Sequence, residues 1–195
     1  MTDIPLGCRC GTVRGTLKLS SPDAGNHVVC FCADCQAFAN YLDNPDEILD
    51  QWGGTDIYQS PPWDVEFVSG TEQLRCLRLT PKGLYRWYTN CCQTPVANTV
   101  SAKLPFVGLI HSFIDKGPSN PLLGPIRGYH KLECAKGEVP DDIRQKGMPV
   151  GTTLRVFWRL FKWKLTAGNK PYPFFDAAGK SVSKPEIVNP GKTQN

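Results

Sequence analysis

The chain has 195 residues, of which 41% are hydrophobic and 10% aromatic. This apolar content is enough to bury a core, so global disorder is excluded, and the length fits one domain with room for an appendage. The formal net charge of +4 is too small to indicate nucleic-acid binding, and the 21% of charged residues excludes a long charged coiled coil.

The first residues and the apolar stretches bear on the cellular location of the protein. The longest apolar stretch, residues 104–114, contains a proline, a glycine and a histidine, so no segment approaches the roughly 20 apolar residues of a membrane span. Residues 1–5 lack the basic and apolar regions of a signal peptide. We therefore predict a cytoplasmic protein, in which disulfides are disfavoured and the nine cysteines are metal ligands or reactive thiols.

Short strands and one short helix are predicted in the first fifty residues. Alternating apolar side chains favour a strand over residues 11–19, and a β-branched run at residues 27–29 favours a second that leads into Cys30. After Cys35 the apolar spacing becomes that of a short helix. Asp34 would cap its first turn, and the positive helix end would lower the pKa of the neighbouring thiols.

The middle of the chain predicts a meander. Three β-like runs, 65–68, 73–79 and 84–88, are separated by turn residues. A three-stranded meander here would carry the chain to Cys91 and bring distant cysteines together. A further buried strand is predicted over residues 106–114.

A helix is predicted near the C-terminus, over residues 153–165, with Gly168 as its stop. It is rich in aromatic residues and carries a basic stripe of Arg155, Arg159 and Lys162. Such a helix can lie on a membrane surface or dock on a partner, but packing against its own domain with extended basic side chains is the favoured interpretation.

The cysteines are clustered. Seven of the nine fall in three tight groups, namely Cys8 with Cys10, Cys30 with Cys32 and Cys35, and Cys91 with Cys92. Close spacing lets one local turn aim several sulfur atoms at one point, and sets of thiolates suit zinc. Zinc binding is therefore predicted ahead of the alternative, inert buried cysteines, which is favoured only for Cys76 and Cys134.

Three segments occur in a known order: residues 7–14 (GCRCGTVR), 30–36 (CFCADCQ) and 92–95 (CQTP). Over roughly residues 6–116 they resemble the glutathione-dependent formaldehyde-activating enzyme family, which includes centromere protein V. The resemblance implies a mainly β protein, a β-tent of small antiparallel sheets around zinc, here followed by a C-terminal helical extension. It also implies a carbon–sulfur lyase that joins formaldehyde and glutathione into S-hydroxymethylglutathione.

The resemblance implies a structural zinc on Cys8, Cys10 and a later cysteine pair. Cys92 matches the second member of that pair, but the first member falls on Thr89. Cys91 would substitute, although adjacent cysteines ligate one tetrahedral ion awkwardly. We therefore expect this site to be incomplete, or to take another donor, and to bind less than one metal ion per chain.

The second zinc site of the family is matched in full by Cys30, Cys32 and Cys35, with one coordination position open. Because three thiolates donate strongly, zinc there favours a thiol as fourth ligand over generation of hydroxide. We predict an enzyme in which these three cysteines form the catalytic centre and act on the adduct of a small aldehyde and a small thiol such as glutathione. The alternative is a non-catalytic, zinc-stabilised binding module.

The remaining predictions concern organisation and polar groups. We divide the chain into a zinc-binding β-tent domain (1–130), an extension with one amphipathic helix (131–170) and an extended tail disordered at its end (171–195). No nucleic acid is expected as a partner, and a homodimer is left open. His27 is either a proton relay or a surface turn residue, the latter being favoured. His111 and His130 are unassigned, and the faces used by the meander arginines are not determined, namely Arg75, Arg78 and Arg86.

Overall fold

The protein is mainly β, as the sequence predicts. A computed structural model describes residues 2–21, 24–168 and 172–188, which form eleven strands in two sheets and four α-helices. The strands are β1 (Thr2–Gly7), β2 (Arg14–Leu19), β3 (Asn26–Cys30), β4 (Thr55–Ser60), β5 (Val65–Ser69), β6 (Leu74–Arg78), β7 (Tyr85–Thr89), β8 (Pro95–Thr99), β9 (Val107–Ile110), β10 (Tyr129–His130) and β11 (Glu186–Ile187). The helices are α1 (Ala33–Tyr41), α2 (Pro45–Ile48), α3 (Asp141–Lys146) and α4 (Val150–Thr166).

The smaller sheet is antiparallel, in the order β1-β2-β5. Along β2 the predicted alternation is confirmed, since Leu17 and Leu19 are buried while Lys18 between them is exposed. The predicted meander is wrong at its first strand, because β5 pairs with β2 and not with β6. The turn residues after β5 signal a break in the chain but carry no information about which sheet the next strand joins.

The larger sheet has eight strands in the order β10-β3-β4-β9-β8-β7-β6-β11. Its six central strands pair antiparallel, and the two-residue strands β10 and β11 add in parallel at the two edges. Both edge strands come from the C-terminal half of the chain, so this part of the protein completes the sheet. The strand predicted over 106–114 is shorter, because residues 111–113 form a 3-10 turn.

The main core includes residues from the predicted tail. Phe174 and Phe175 are buried, and the Phe174 ring centroid lies 5.0 Å from that of Trp87 on β7. Phe175 lies 5.2 Å from Tyr85 on the same strand. The tail therefore contributes to the core and is not simply an extended appendage. Burying its aromatic side chains removes apolar surface from water and so stabilises the folded protein. The disorder predicted for its end concerns residues 189–195, which lie outside the described residues.

Helix α4 is confirmed, three residues longer at its start than predicted and one longer at its end. The face of α4 that contacts the rest of the protein differs from the expectation. Arg155 Nε donates to Asn26 Oδ1 at 3.0 Å, and Arg159 donates to the Ala24 carbonyl. Two members of the predicted basic stripe thus contact the body of the protein. Among the described residues, no helix is long and apolar enough to cross a membrane.

Candidate metal centres

The first and third cysteine groups meet in space. Cys8 and Cys10 lie in the turn between β1 and β2, and Cys91 and Cys92 lie in the turn between β7 and β8. Cys10 Sγ is 3.5 Å from Cys8 Sγ and 3.4 Å from Cys91 Sγ, and Cys91 Sγ is 3.8 Å from both Cys8 Sγ and Cys92 Sγ. All four sulfur atoms lie within 4.8 Å of one another, so this four-cysteine group could hold a metal ion.

The expectation of an incomplete ligand set is corrected by this geometry. Thr89 stands beside the sulfur atoms as a support: its Oγ1 lies 3.4 Å from Cys92 Sγ and accepts a hydrogen bond from the Thr94 amide at 3.2 Å. Burial opposes ionisation of Cys92, but hydrogen bonds from the Thr89 and Thr94 hydroxyls lower its pKa to about 6. The adjacent cysteines lie in a tight turn that includes Gln93, whose φ is 55°, and both sulfur atoms belong to the group.

The second cysteine group lies where β3 passes into α1. Cys30 is the last residue of β3, Cys32 precedes the first helical residue, and Cys35 is in the first turn. Their sulfur atoms lie within 4.8 Å of one another. Hydrogen bonds from Cys30 and Cys35 lower the pKa of the Cys32 thiol, with a further contribution from the charge of Arg86, while the pKa values of the Cys30 and Cys35 thiols are raised. Among the three sulfur atoms, that of Cys32 is the one that deprotonates first. The group is therefore poised to carry negative charge.

Arg86 on β7 is the buried cation of this group, with 1% of its surface exposed. Its guanidinium lies 3.5 Å from the Asp34 carboxylate, 3.3 Å from Asn98 Oδ1 and 3.9 Å from Cys35 Sγ. A buried charge is stable only when it is paired. Asp34 thus does not cap α1, which shows no side-chain cap; it pairs with Arg86 instead. The sequence places Arg86 in a strand but does not signal this contact.

A cavity of about 660 Å³ opens beside the three cysteines. His130 also lines it, with Nδ1 3.6 Å from Cys30 Sγ, because β10 pairs with β3 in a register that sets His130 opposite Cys30. One hundred residues separate the two in sequence, so no local pattern could have indicated the contact. The remaining walls are largely apolar and include Val28, Ile57, Leu84, Phe106, Met148, Val156 and Phe157.

Several other predictions are settled by burial and contacts. His27 is not a surface residue: it is buried, with Nε2 2.8 Å from both Asp56 carboxylate oxygens and Nδ1 2.9 Å from the Gly124 carbonyl. Burial opposes its protonation, but Asp56 raises the pKa of His27 above its usual value. Cys76 is buried as predicted, whereas Cys134 is exposed, contrary to its favoured interpretation.

The other two meander arginines do not line the cavity. Arg75 donates to the carbonyls of Glu72 and Leu74, and Arg78 donates to the carbonyl of Gly83. Arg86 is therefore the arginine of the meander that faces the cysteines. An anionic ligand in this cavity would meet one imidazole and one guanidinium, the latter already paired with the Asp34 carboxylate in the same wall.

Comparison with known proteins shows the family. Residues 1–186 match the model of a family of unknown function, DUF6151. The chain belongs to this family. No match is found among the curated proteins. Among solved structures, the crystal structure of a Rhodobacter sphaeroides protein, a structural genomics target, is similar with a TM-score of 0.43 and 15% identity, covering 63% of this chain and 96% of that one.

In this member of the DUF6151 family, the two cysteine groups differ in access. The four-cysteine group is complete for a four-coordinate ion. The three-cysteine group lies in the wall of a cavity, so an ion held there would keep one side available to a ligand.

Proposed function

We propose that both cysteine groups bind zinc. A tetrahedral zinc ion with Zn–S bonds of about 2.3 Å separates its sulfur ligands by about 3.8 Å. The sulfur separations of 3.4, 3.5 and 3.8 Å in the four-cysteine group fit that value and are far longer than a disulfide bond. In this proposal the four-cysteine ion is structural, because it joins the β1–β2 turn to the β7–β8 turn and has no open position.

We propose that the three-cysteine group is the centre of a carbon–sulfur lyase acting on the adduct of a small aldehyde and a glutathione-type thiol. The observation that carries this proposal is the position of Cys30, Cys32 and Cys35 in the wall of a cavity of about 660 Å³, beside a buried cation. Zinc bound there supplies a soft position that favours a thiol in its deprotonated form. The motif resemblance to the formaldehyde-activating enzymes supports the same reaction and a β-tent.

The surrounding side chains have distinct tasks in this reaction. When a thiol adds to formaldehyde, a C–S bond forms, the C=O π bond breaks, and a proton passes from sulfur to the new hydroxyl oxygen. His130, 3.6 Å from Cys30 Sγ, is placed to accept and return that proton. Arg86 offsets the excess negative charge of three thiolates around a divalent cation. The apolar walls exclude water around the adduct.

The proposal is tested by the exchange of free formaldehyde and glutathione with S-hydroxymethylglutathione, followed by NMR with zinc-loaded protein. Cys32→Ser should abolish protein-dependent exchange and leave the melting temperature within a few degrees. Cys76→Ser, at a buried cysteine outside both groups, is the matched control and should retain exchange. Undiminished exchange by Cys32→Ser, or no exchange by the wild type, would refute the lyase.

A non-catalytic binding module is the second candidate, and the complete four-cysteine group supports it because a second ion at the three-cysteine group could likewise serve only to stabilise the fold. The two candidates differ at the three-cysteine group. In cobalt-substituted protein, addition of glutathione should shift the absorption bands of an ion with an open position. An unchanged spectrum would indicate a saturated structural ion. Nine free cysteines fit a reducing compartment, and we propose a cytoplasmic location for either function.

A further inference from the structure

Helix α4 exposes its apolar face. Six large apolar side chains each expose more than half of their surface, and they are Val150, Leu154, Phe157, Trp158, Phe161 and Leu165. Each residue turns the helix by about 100°, so viewed down the helix axis these six positions fall within an arc of about 100°. That arc is the width of the apolar stripe that a helix normally turns toward a core. The stripe runs along the whole helix.

The rotation of α4 is held by polar contacts on the opposite face. Arg155 donates to Asn26, and Thr152 Oγ1 donates to the Arg127 carbonyl at 2.9 Å. Trp163 on this side is buried. Turning the apolar stripe inward would break these contacts and expose Trp163. The exposed stripe is therefore a built feature of the fold.

Basic residues border the stripe on both sides. Lys162 and Lys164 are exposed, and on the helical projection they fall on opposite edges of the apolar arc. The helix contains no acidic residue between Val150 and Thr166. An apolar stripe with aromatic residues, flanked by cations that extend toward the same plane, is the pattern of helices that lie in the interface of an anionic bilayer.

We propose that α4 docks the protein flat on an anionic membrane surface, with Trp158 and Phe161 in the interface and Lys162 and Lys164 on anionic headgroups. A second copy of the chain is the less suitable occupant, because pairing two α4 stripes would bring their bordering lysines together without acidic partners on the helix. Phe157 belongs both to the stripe and to the cavity wall, so docking places the mouth of that cavity beside the bilayer.

The apolar part of the proposal is tested by sedimentation of the full chain with vesicles of phosphatidylcholine containing about 30% phosphatidylserine. The double variant Trp158→Ser, Phe161→Ser should bind at least about tenfold more weakly, since each interfacial side chain contributes through its buried area. The matched control is Val68→Ser, Val182→Ser, which removes exposed apolar side chains elsewhere and should bind like the wild type. Circular dichroism and zinc content verify that each variant is folded.

The contribution of the lysines to binding is tested with two further double variants, each of which lowers the net charge of the protein by two. Lys162→Gln, Lys164→Gln should weaken binding about thirtyfold, because each of the two cations contributes about 1 kcal/mol near an anionic surface. Lys82→Gln, Lys184→Gln removes two exposed lysines outside α4 and should change binding less than about twofold.

Three results would overturn the proposal. The first is no sedimentation of the wild type with anionic vesicles. The second is equal binding to vesicles of phosphatidylcholine alone. The third is a dimer in analytical ultracentrifugation that the Trp158→Ser, Phe161→Ser variant dissociates, together with the absence of vesicle binding.

Discussion

At the scale of single residues, Arg86 is the side chain on which the candidate catalytic centre most depends. It is fully desolvated, whereas its partner Asp34 is more than half exposed. The guanidinium therefore depends also on Asn98 and on the cysteine group, which carries negative charge when its thiols are deprotonated. Arg86 and the three cysteines stabilise one another.

This dependence predicts a selective loss of metal from one group. Arg86→Met keeps the unbranched stem of the side chain and removes the guanidinium with its charge, so zinc should bind the three-cysteine group about 10–100-fold more weakly while the four-cysteine group keeps its ion. Competition with a chromophoric chelator measures both affinities. Arg75→Met, which removes an arginine bonded to backbone carbonyls, is the control and should alter neither affinity. Equal weakening at both groups would contradict the assignment.

His27 provides a pH-dependent contribution to stability. Its pKa is raised in the folded protein because Asp56 outweighs the burial that opposes protonation. The contribution is therefore fully present below the unfolded pKa of about 6.5 and is lost as the pH rises through the folded pKa. The difference in unfolding free energy between wild type and His27→Gln, measured by urea denaturation at saturating zinc, should shrink as the pH is raised above about 6.5. A constant difference would exclude the protonated pair.

At the scale of elements, the turn between β7 and β8 connects the two sheets. It brings Cys91 and Cys92 to the turn between β1 and β2, so the four-cysteine group links the smaller sheet to the larger one. A bound ion there closes a long loop in the chain. Such a cross-link stabilises the folded state because it reduces the conformational entropy of the unfolded chain.

We expect Cys91→Ser to lose the metal of this group and to lower the free energy of unfolding by roughly 3 kcal/mol, the size typical of a lost cross-link between distant segments. The measurements are zinc stoichiometry and urea denaturation. Cys134→Ser, at an exposed cysteine outside both groups, should change neither. Full retention of two ions by Cys91→Ser would contradict this prediction and show that three sulfur atoms suffice.

At the scale of the whole molecule, the C-terminal part of the chain completes the fold. Strand β10 brings His130 to the cavity, α4 forms one of its walls, and residues 174–175 fill the core beside Trp87. The sheet and the cavity thus need residues far outside the segment that carries the cysteine motifs. The division into three segments stays a prediction, and these contacts show how closely the segments interact.

Removing a single aromatic ring of the tail tests this integration. Phe174→Ala should lower the free energy of unfolding by about 3–5 kcal/mol, because it leaves a cavity in the main core. Ile187→Ala, at an exposed position on β11, should cost less than about 0.5 kcal/mol. Urea denaturation of both variants gives the comparison. Similar small losses would mean that the tail only covers the surface.

Much of the candidate site could be predicted from local spacing. Cys30, Cys32 and Cys35 are joined by so few bonds that one turn brings their sulfur atoms together, and the alternation along β2 states which side chains are buried. Residues 153–165 of helix α4 were also predictable, since the spacing of its side chains and its stop residue are local signals, whereas its first turn was missed.

What only the tertiary structure decided is how distant segments face one another. The choice of β2 as partner for β5, the placement of Arg86 and His130 beside the cysteines, and the outward rotation of α4 depend on which surfaces are buried when the whole chain collapses. Residue spacing restricts atoms that are connected through a few bonds. Pairings across a hundred residues are set by the packing and charge balance of the complete molecule, which no local pattern records.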